Sequence, residues 1–251
     1  MTPDVAPHAG RIALITGANR GLGREAAFRL AELGMHVLVG CRDAEAGAAG
    51  ARQITDRGLS AAAVRLDVTD PQSAHSVASE IGSTHGRLDV LVNNAGVSVE
   101  ATAPELTASH IRAACEVNLF GVVTMVHELL PLLRRSAHPR IVNVSSTTGS
   151  LSLTADGTDF GGNAAHRIAY STSKAALNML TLQYARAFAA DPQLAHIKIN
   201  AVTPGYVATD MNRGQGTRTV SEGAKVIVEF ATLGDDGPSG EYHNDRGAVP
   251  W

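Results

Sequence analysis

Tyr170 and Lys174 stand four residues apart in Tyr170-Ser171-Thr172-Ser173-Lys174. On a helix that spacing places both side chains on one face, one turn apart. An ammonium beside a phenol favours the phenolate and draws the tyrosine pKa from ~10 toward working pH. A phenol tuned in this way donates a proton when a ketone is reduced and accepts one when an alcohol is oxidised. The 21 basic residues include only three lysines, Lys174, Lys198 and Lys225, so a lysine here goes against the chain's own preference for arginine. An isolated Tyr-x-x-x-Lys pair is more often a half-buried tyrosine next to a surface lysine, and its meaning depends on what surrounds it.

Four other segments have chemistry of their own. Thr16-Gly17-Ala18-Asn19-Arg20-Gly21-Leu22-Gly23 is a glycine turn, in which backbone N–H groups and a helix N-terminus can approach a pyrophosphate. Its spacing is G-x-x-x-G-x-G, which is not the G-x-G-x-x-G fingerprint. Asn93-Asn94-Ala95-Gly96, Ser145-Ser146 and Pro204-Gly205 are the others. The ten histidines form no HExxH, and the two cysteines, Cys41 and Cys115, are too few and too far apart for a zinc site or a disulfide framework. No metal is expected. Neither a GxSxG elbow nor a GxxxxGK[ST] loop is present.

The elements that must position these segments alternate between strand and helix. Apolar runs predict strands at Arg11–Thr16, His36–Gly40, Ala61–Leu66, Leu88–Val92, Arg140–Ser145 and Ile197–Val202, with a short seventh at Glu241–His243. Helical spacing predicts Gly21–Leu33, a helix capped by Asp43, Pro71–Thr84, Ile111–Arg135 bent or ended at Pro131, about Ile168–Ala190, and Ser221–Leu233. This order predicts an α/β fold: a Rossmann-type doubly wound parallel sheet of about seven strands with helices on both faces. Ligands then bind at the carboxyl ends of the strands, near the topological switch point. Every segment named above falls at such an end.

With 251 residues, 44% of them hydrophobic, the chain can build one domain over 1–251, with 1–10 as a flexible extension. A net charge of −3 gives no electrostatic reason to expect nucleic acid or a membrane surface as partner. The first ten residues lack a signal-peptide pattern, and there is no uninterrupted apolar stretch of spanning length. A soluble, cytoplasmic protein is expected.

In the order TGxxxGxG, NNAG, a helical Asn, Ser, YxxxK and PG, the chain resembles the short-chain dehydrogenase/reductase family over nearly its whole length. The resemblance implies a catalytic set of Asn118, Ser146, Tyr170 and Lys174. Ser146 would hold the substrate carbonyl, with its neighbour Ser145 as the alternative. Lys174 would also bind the nicotinamide ribose, and Asn118 would anchor a water leading to Lys174. Cofactor contacts would come from Gly17, Asn19, Arg20, Gly21, Leu22, Gly23, Asp67, Val68, Asn94, Ala95, Gly96, Tyr170, Lys174, Pro204, Gly205, Val207 and Thr209. NAD-specific relatives usually have an acidic residue at the end of the second strand, where this chain has Cys41 and then Arg42. Arg42 and Arg20 suit a 2′-phosphate, which arginine binds bidentately, so NADP(H) is expected.

Twenty-four residues separate Ser146 from Tyr170, more than the common family spacing, and the extra length at 147–169 resembles carbonyl-reductase-like members. It would either shape substrate access or form a solvated loop. A rather open pocket lined by Leu151, Phe160, Tyr206 and Met211 is expected. The implied activity is NADPH-dependent reduction of a ketone, aldehyde or quinone by an oxidoreductase. The alternative is an NADP(H)-binding sensor or scaffold without turnover, against which the intact proton-donor set argues. A homo-oligomer is left open, because an insertion before the Tyr170 helix can block the face through which relatives associate.

Overall fold

The computed structural model describes residues 6–251, and residues 1–5 lie outside the described part. Its centre is an eight-stranded sheet in the order β3-β2-β1-β4-β5-β6-β7-β8. The strands are β1 (Ile12–Thr16), β2 (His36–Cys41), β3 (Ala61–Arg65), β4 (Val90–Asn93), β5 (Arg140–Val144), β6 (Lys198–Val202), β7 (Tyr242–Asn244) and β8 (Gly247–Ala248). All pairs are parallel except β7–β8. The eighth strand is one more than the sequence predicts; at two residues it is too short to leave a periodic signal.

The helices are α1 (Gly21–Glu32), α2 (Ala44–Thr55), α3 (Pro71–Thr84), α4 (Ala108–Cys115), α5 (Gly121–Leu133), α6 (Leu151–Ala155), α7 (Ile168–Ala190) and α8 (Val220–Ala231). They cover both faces of the sheet and form two cores. One joins Leu14, Leu91 and Ile141 to Met125, Leu129 and Leu177. The other joins Ile15, Val39 and Val92 to Ala27, Leu30 and Ile227. Central strands buried on both faces read as unbroken apolar runs, which is why β1, β2, β4 and β5 were legible as strands.

Asp43 caps α2 as expected, accepting from the backbone N–H groups of Glu45 and Ala46. The long helix expected over 111–135 is instead two helices joined by a π turn, Glu116–Phe120, and it does not end at Pro131. Pro131 is exposed, so the carbonyl that its missing N–H leaves unpaired faces water. On length and composition the run Ala108–Leu133 could cross a membrane. In the fold its Val122, Met125, Val126, Leu129 and Leu133 are buried in the core. Residues 6–10, expected to belong to a flexible extension, form a turn bonded to the end of α1, with the His8 N–H donating to the Leu33 carbonyl at 3.1 Å.

Opposite the ligand-binding edge, Asp89 ties the sheet together. Its carboxylate, 4% exposed, accepts from the Ile12 N–H at 2.8 Å, the Ser136 hydroxyl at 2.5 Å and the Arg87 guanidinium at 3.1 Å. Replacing it leaves the buried Ile12 N–H and Ser136 hydroxyl without their acceptor. Asp89→Ala is expected to cost about 3 kcal/mol of stability, read as a lower urea midpoint with an unchanged slope; a loss under about 0.5 kcal/mol would show that the cluster is dispensable.

Candidate active site

β1 lies between β2 and β4 in the sheet, so the chain reverses its direction of winding at β1 and a crevice opens beyond the carboxyl ends of β1 and β4. The glycine turn after β1 forms the floor of this crevice. Gly17 has φ +65°, a left-handed conformation that disfavours a side chain. A Cβ at Gly23 would lie 2.5 Å from Asn94 Nδ2 and 2.7 Å from the Gly17 carbonyl oxygen. Asn94 locks the turn, its amide donating to the carbonyls of Thr16 at 2.8 Å and Gly17 at 3.2 Å. The Thr16 hydroxyl in turn accepts from the backbone N–H groups of Asn94 and Ala95.

Above this floor is a cleft of about 500 Å³. Gly17, Asn19, Arg20, Gly21, Leu22 and Gly23 line one side, and Arg42, Asp67 and Val68 the far end. Asn94, Ala95, Gly96, Tyr170, Lys174, Pro204 and Thr209 complete it. Gly205 and Val207, assigned to the cofactor from the sequence, instead line a neighbouring cavity, because the chain turns away from the cleft after Pro204. Cys41, Leu66, Thr69, Ser145 and Asp210 also border the cleft, although the sequence reading gave them no contact there.

The cleft suits a dinucleotide phosphate. Its floor is a glycine turn that a Cβ would fill, at the N-terminus of α1, where backbone N–H groups favour an anion. At its far end Arg42 is exposed beside Asp67. Burial would raise the Asp67 pKa, but hydrogen bonds from Thr69 and the Arg42 charge outweigh it and hold the carboxyl below its usual value. Arg20 crosses the mouth to Asp210 at 3.0 Å; both side chains are about 70% exposed (69% and 71%), so the pair is a weak tie. Cys41 donates to the Asp43 carbonyl, and burial raises its pKa, as suits an inert thiol.

The neighbouring cavity, about 340 Å³, is lined by Ser146, Tyr170, Phe160, Tyr206 and Met211 among others. Leu151, expected in this lining, is not part of it; it begins α6 and is 71% exposed. The inserted segment does reach the cavity, through Phe160 to Asn163 and His166 to Arg167. Arg167 holds it there, donating to the Gly161 carbonyl at 2.8 Å with its guanidinium over the Phe160 ring.

Tyr170 borders both spaces. Burial raises its pKa, and the Ser146 hydroxyl lying against the phenol pulls it partway back. The expected downward pull by Lys174 is not what the structure displays. The Lys174 ammonium lies 5.7 Å from the ring centroid and donates to the Val144 carbonyl at 2.8 Å. Burial brings its own pKa down to about 8. The two serines separate cleanly: the Ser145 hydroxyl is buried and donates to Asn178 at 2.6 Å, whereas Ser146 faces the cavity. Asn118, in the π turn, accepts from the Val97 N–H and donates to the Val97 carbonyl and the Ser173 hydroxyl, all at 2.9 Å. Its side chain thus braces the NNAG loop against α7. Among the described residues no cluster of three His, Cys, Asp or Glu side chains could hold a metal.

The short chain dehydrogenase family model matches residues 11–219. The chain belongs to the short-chain dehydrogenase family. It is 34% identical to salutaridine reductase of Papaver bracteatum, over 93% of this chain and 94% of that one. It is 31% identical to carbonyl reductase (NADPH) 3 of Mus musculus, over 96% and 98%. The solved Pseudomonas aeruginosa RhlG/NADP active-site complex superimposes with a TM-score of 0.81 at 30% identity, covering 98% of each chain. The parallel sheet and its switch-point crevice are therefore those of an oxidoreductase family.

The burial of Lys174 has a thermodynamic signature. Its folded pKa of about 8 lies below the ordinary 10.5, so between these values the unfolded chain holds a proton that the folded chain has released. Stability therefore rises with pH across that window, and the cost of the buried charge is fully present below it. Lys174→Met is expected to be more stable than wild type at pH 7, by up to about 3 kcal/mol, with the gap closing toward pH 10. Urea titrations at the two pH values measure it; a gap that does not change with pH would contradict the assignment.

Proposed function

We propose that this chain is an NADPH-dependent reductase that converts a ketone, aldehyde or quinone to the alcohol, with Tyr170 as proton donor. The observation on which this rests is that Tyr170 alone of the titratable proton donors borders both the phosphate-suited cleft and the cavity holding Ser146. A group at that boundary meets a cofactor on one side and a carbonyl on the other. The names of two relatives, salutaridine reductase and carbonyl reductase (NADPH) 3, are consistent with this direction, and the second with this cofactor.

When bound, NADPH supplies the hydride that goes to the carbonyl carbon. The residues of the chain do the rest. Ser146 donates to the substrate oxygen and holds it beside the Tyr170 phenol. Tyr170 passes its proton to that oxygen as negative charge develops there, giving the alcohol and a phenolate. Lys174, one turn along α7, contacts the ribose. Both amide hydrogens of Asn118 are spent on Val97 and Ser173, so its side chain steadies the loop after β4 against α7. Arg42 binds the 2′-phosphate, and Arg20 joins it by giving up Asp210. Thr209 borders the carboxamide, and Phe160, Tyr206, Val207 and Met211 offer an apolar wall to the substrate.

NADPH and NADH consumption with a panel of ketones, aldehydes and quinones tests the reading. Wild type is expected to turn over with NADPH, and Tyr170→Phe to lose about 10²- to 10⁴-fold in kcat while still binding cofactor. An undiminished Tyr170→Phe enzyme would overturn the mechanism. NADPH binding without turnover of any carbonyl would favour the sensor. Arg42→Ala is expected to raise the KM for NADPH about ten- to a hundredfold, as loss of a charge-assisted contact does, and to leave that for NADH unchanged. Faster turnover with NADH in wild type would remove the phosphate assignment but not the proton donor.

A further inference from the structure

We propose that Tyr242 is a positioning residue for the proton donor: its hydroxyl holds the Ser146 backbone, and through it the Ser146 side chain, against Tyr170. The proposal rests on the roles given to Ser146 and Tyr170 above. Tyr242 opens β7, far from the glycine turn and from the YxxxK helix in sequence. Its phenol hydroxyl donates to the Ser146 carbonyl oxygen at 2.6 Å, and the residue is 2% exposed. A buried phenol needs a partner, and here that partner is the backbone of the residue facing the carbonyl.

Within its own turn the Ser146 carbonyl also accepts from the Gly149 N–H at 2.8 Å, and the Tyr242 hydroxyl adds the tie that joins this turn to β7. Flanking residues are fixed by others: the Ser145 hydroxyl donates to Asn178, and the Thr147 N–H donates to the Thr203 hydroxyl at 3.0 Å. Within its own turn the Ser146 side chain meets Thr148, and beyond it the hydroxyl lies against Tyr170. The Tyr242 ring is braced in turn by Trp251, stacked at 5.4 Å between centroids. The end of the chain fastens the inserted segment as well, the Ser150 hydroxyl donating to the Pro250 carbonyl and the Ser152 N–H to the Trp251 carbonyl. A misplaced donor loses catalytic power steeply with distance, so the β7 tyrosine matters although it does not line the cavity.

Tyr170 titration reads the path directly. The charged and titratable groups facing Tyr170 are Lys174 on its own helix, Tyr242 from β7, and Glu100, His166, Arg167 and Arg213 around the cavity, with Tyr206 beside them. Tyr242→Phe removes no charge from this set, since burial keeps the Tyr242 phenol protonated. The Ser146 contact lowers the Tyr170 pKa, so loosening Ser146 must raise it.

The experiment is ¹³C NMR titration of ring-labelled tyrosine in the NADP⁺-loaded full chain. There are four tyrosines, and Tyr170 is assigned by the signal lost in Tyr170→Phe. Tyr242→Phe is expected to move the Tyr170 titration upward by about 0.5–1 unit, the worth of one hydrogen bond. Ser146→Ala moves it the same way, and adding Tyr242→Phe to Ser146→Ala moves it no further. Trp251→Leu, which loosens the ring but keeps the hydroxyl, gives a smaller shift of the same sign. In turnover, Tyr242→Phe lowers kcat about five- to tenfold with the KM for NADPH unchanged. An unmoved Tyr170 titration, or an equal shift in the Ser146→Ala background, would overturn the proposal. So would a fall in kcat matched by losses in NADPH affinity and thermal stability. If Tyr170→Phe retained full turnover, the reductase mechanism would fail instead, and the titration would still report whether Tyr242 acts through Ser146.

Discussion

An ammonium buried at 4% exposure beside a phenol is the most demanding feature of this molecule. Taking a charge out of water costs several kcal/mol unless hydrogen bonds repay it, and Lys174 donates one to the Val144 carbonyl at the end of β5. Helix α7 must therefore be pinned to β5 along its length. A polar seam does this: Asn93 donates to Asn143, Asn143 to Thr181, and Ser145 to Asn178. Ser173, on the same helix, takes a bond from Asn118 in the π turn. Each of these groups is costly to bury alone, and pairing satisfies them except at Asn93 Oδ1, which is buried without a partner. The seam sets one register between helix and sheet, and that register decides where Tyr170 stands.

What the sequence made legible follows from which forces are local. Apolar runs and capping residues marked the strands and most helix starts, because burial and the N-terminal N–H groups act within a few residues. Most residues read as cofactor contacts do line one cleft, since each sits at a strand end where the fold brings strand ends together. The π turn was invisible: it answers to the contacts of Asn118 with Val97, which only the folded chain creates. Arg20 and Asp210, 190 positions apart, and Tyr242 and Ser146, 96 apart, meet for the same reason. The pull of Lys174 on the tyrosine pKa was read from helical spacing alone, which fixes a shared face but not where a four-carbon side chain directs its charge.

Two spaces that share one wall divide the labour of the site. The larger is built from backbone and short side chains of the sheet's carboxyl edge, whose positions depend on strands buried on both faces. The smaller takes much of its lining from loop segments at 160–163 and 204–215, the latter holding one short 3₁₀ turn at Asp210–Asn212. Sheet edge and exposed loop thus meet along the Tyr170 side chain. A polar group held at such a boundary can be shielded from water by whatever fills either side, which strengthens every electrostatic contact it makes.

The inserted segment between Ser146 and Tyr170 is fastened at both ends. The Ser150 and Ser152 contacts with Pro250 and Trp251 secure its start, and a parallel bridge between Ala101 and Arg167 secures its finish. Between these anchors, residues 156–163 are largely exposed and joined to the body by few bonds. Closure entropy grows only slowly with loop length, so this span can lengthen, shorten or change composition at small cost to stability. Substrate range can thus drift in descendants of this protein through edits to eight residues, while the reacting groups are inherited intact. The fastening makes the molecule easy to repurpose.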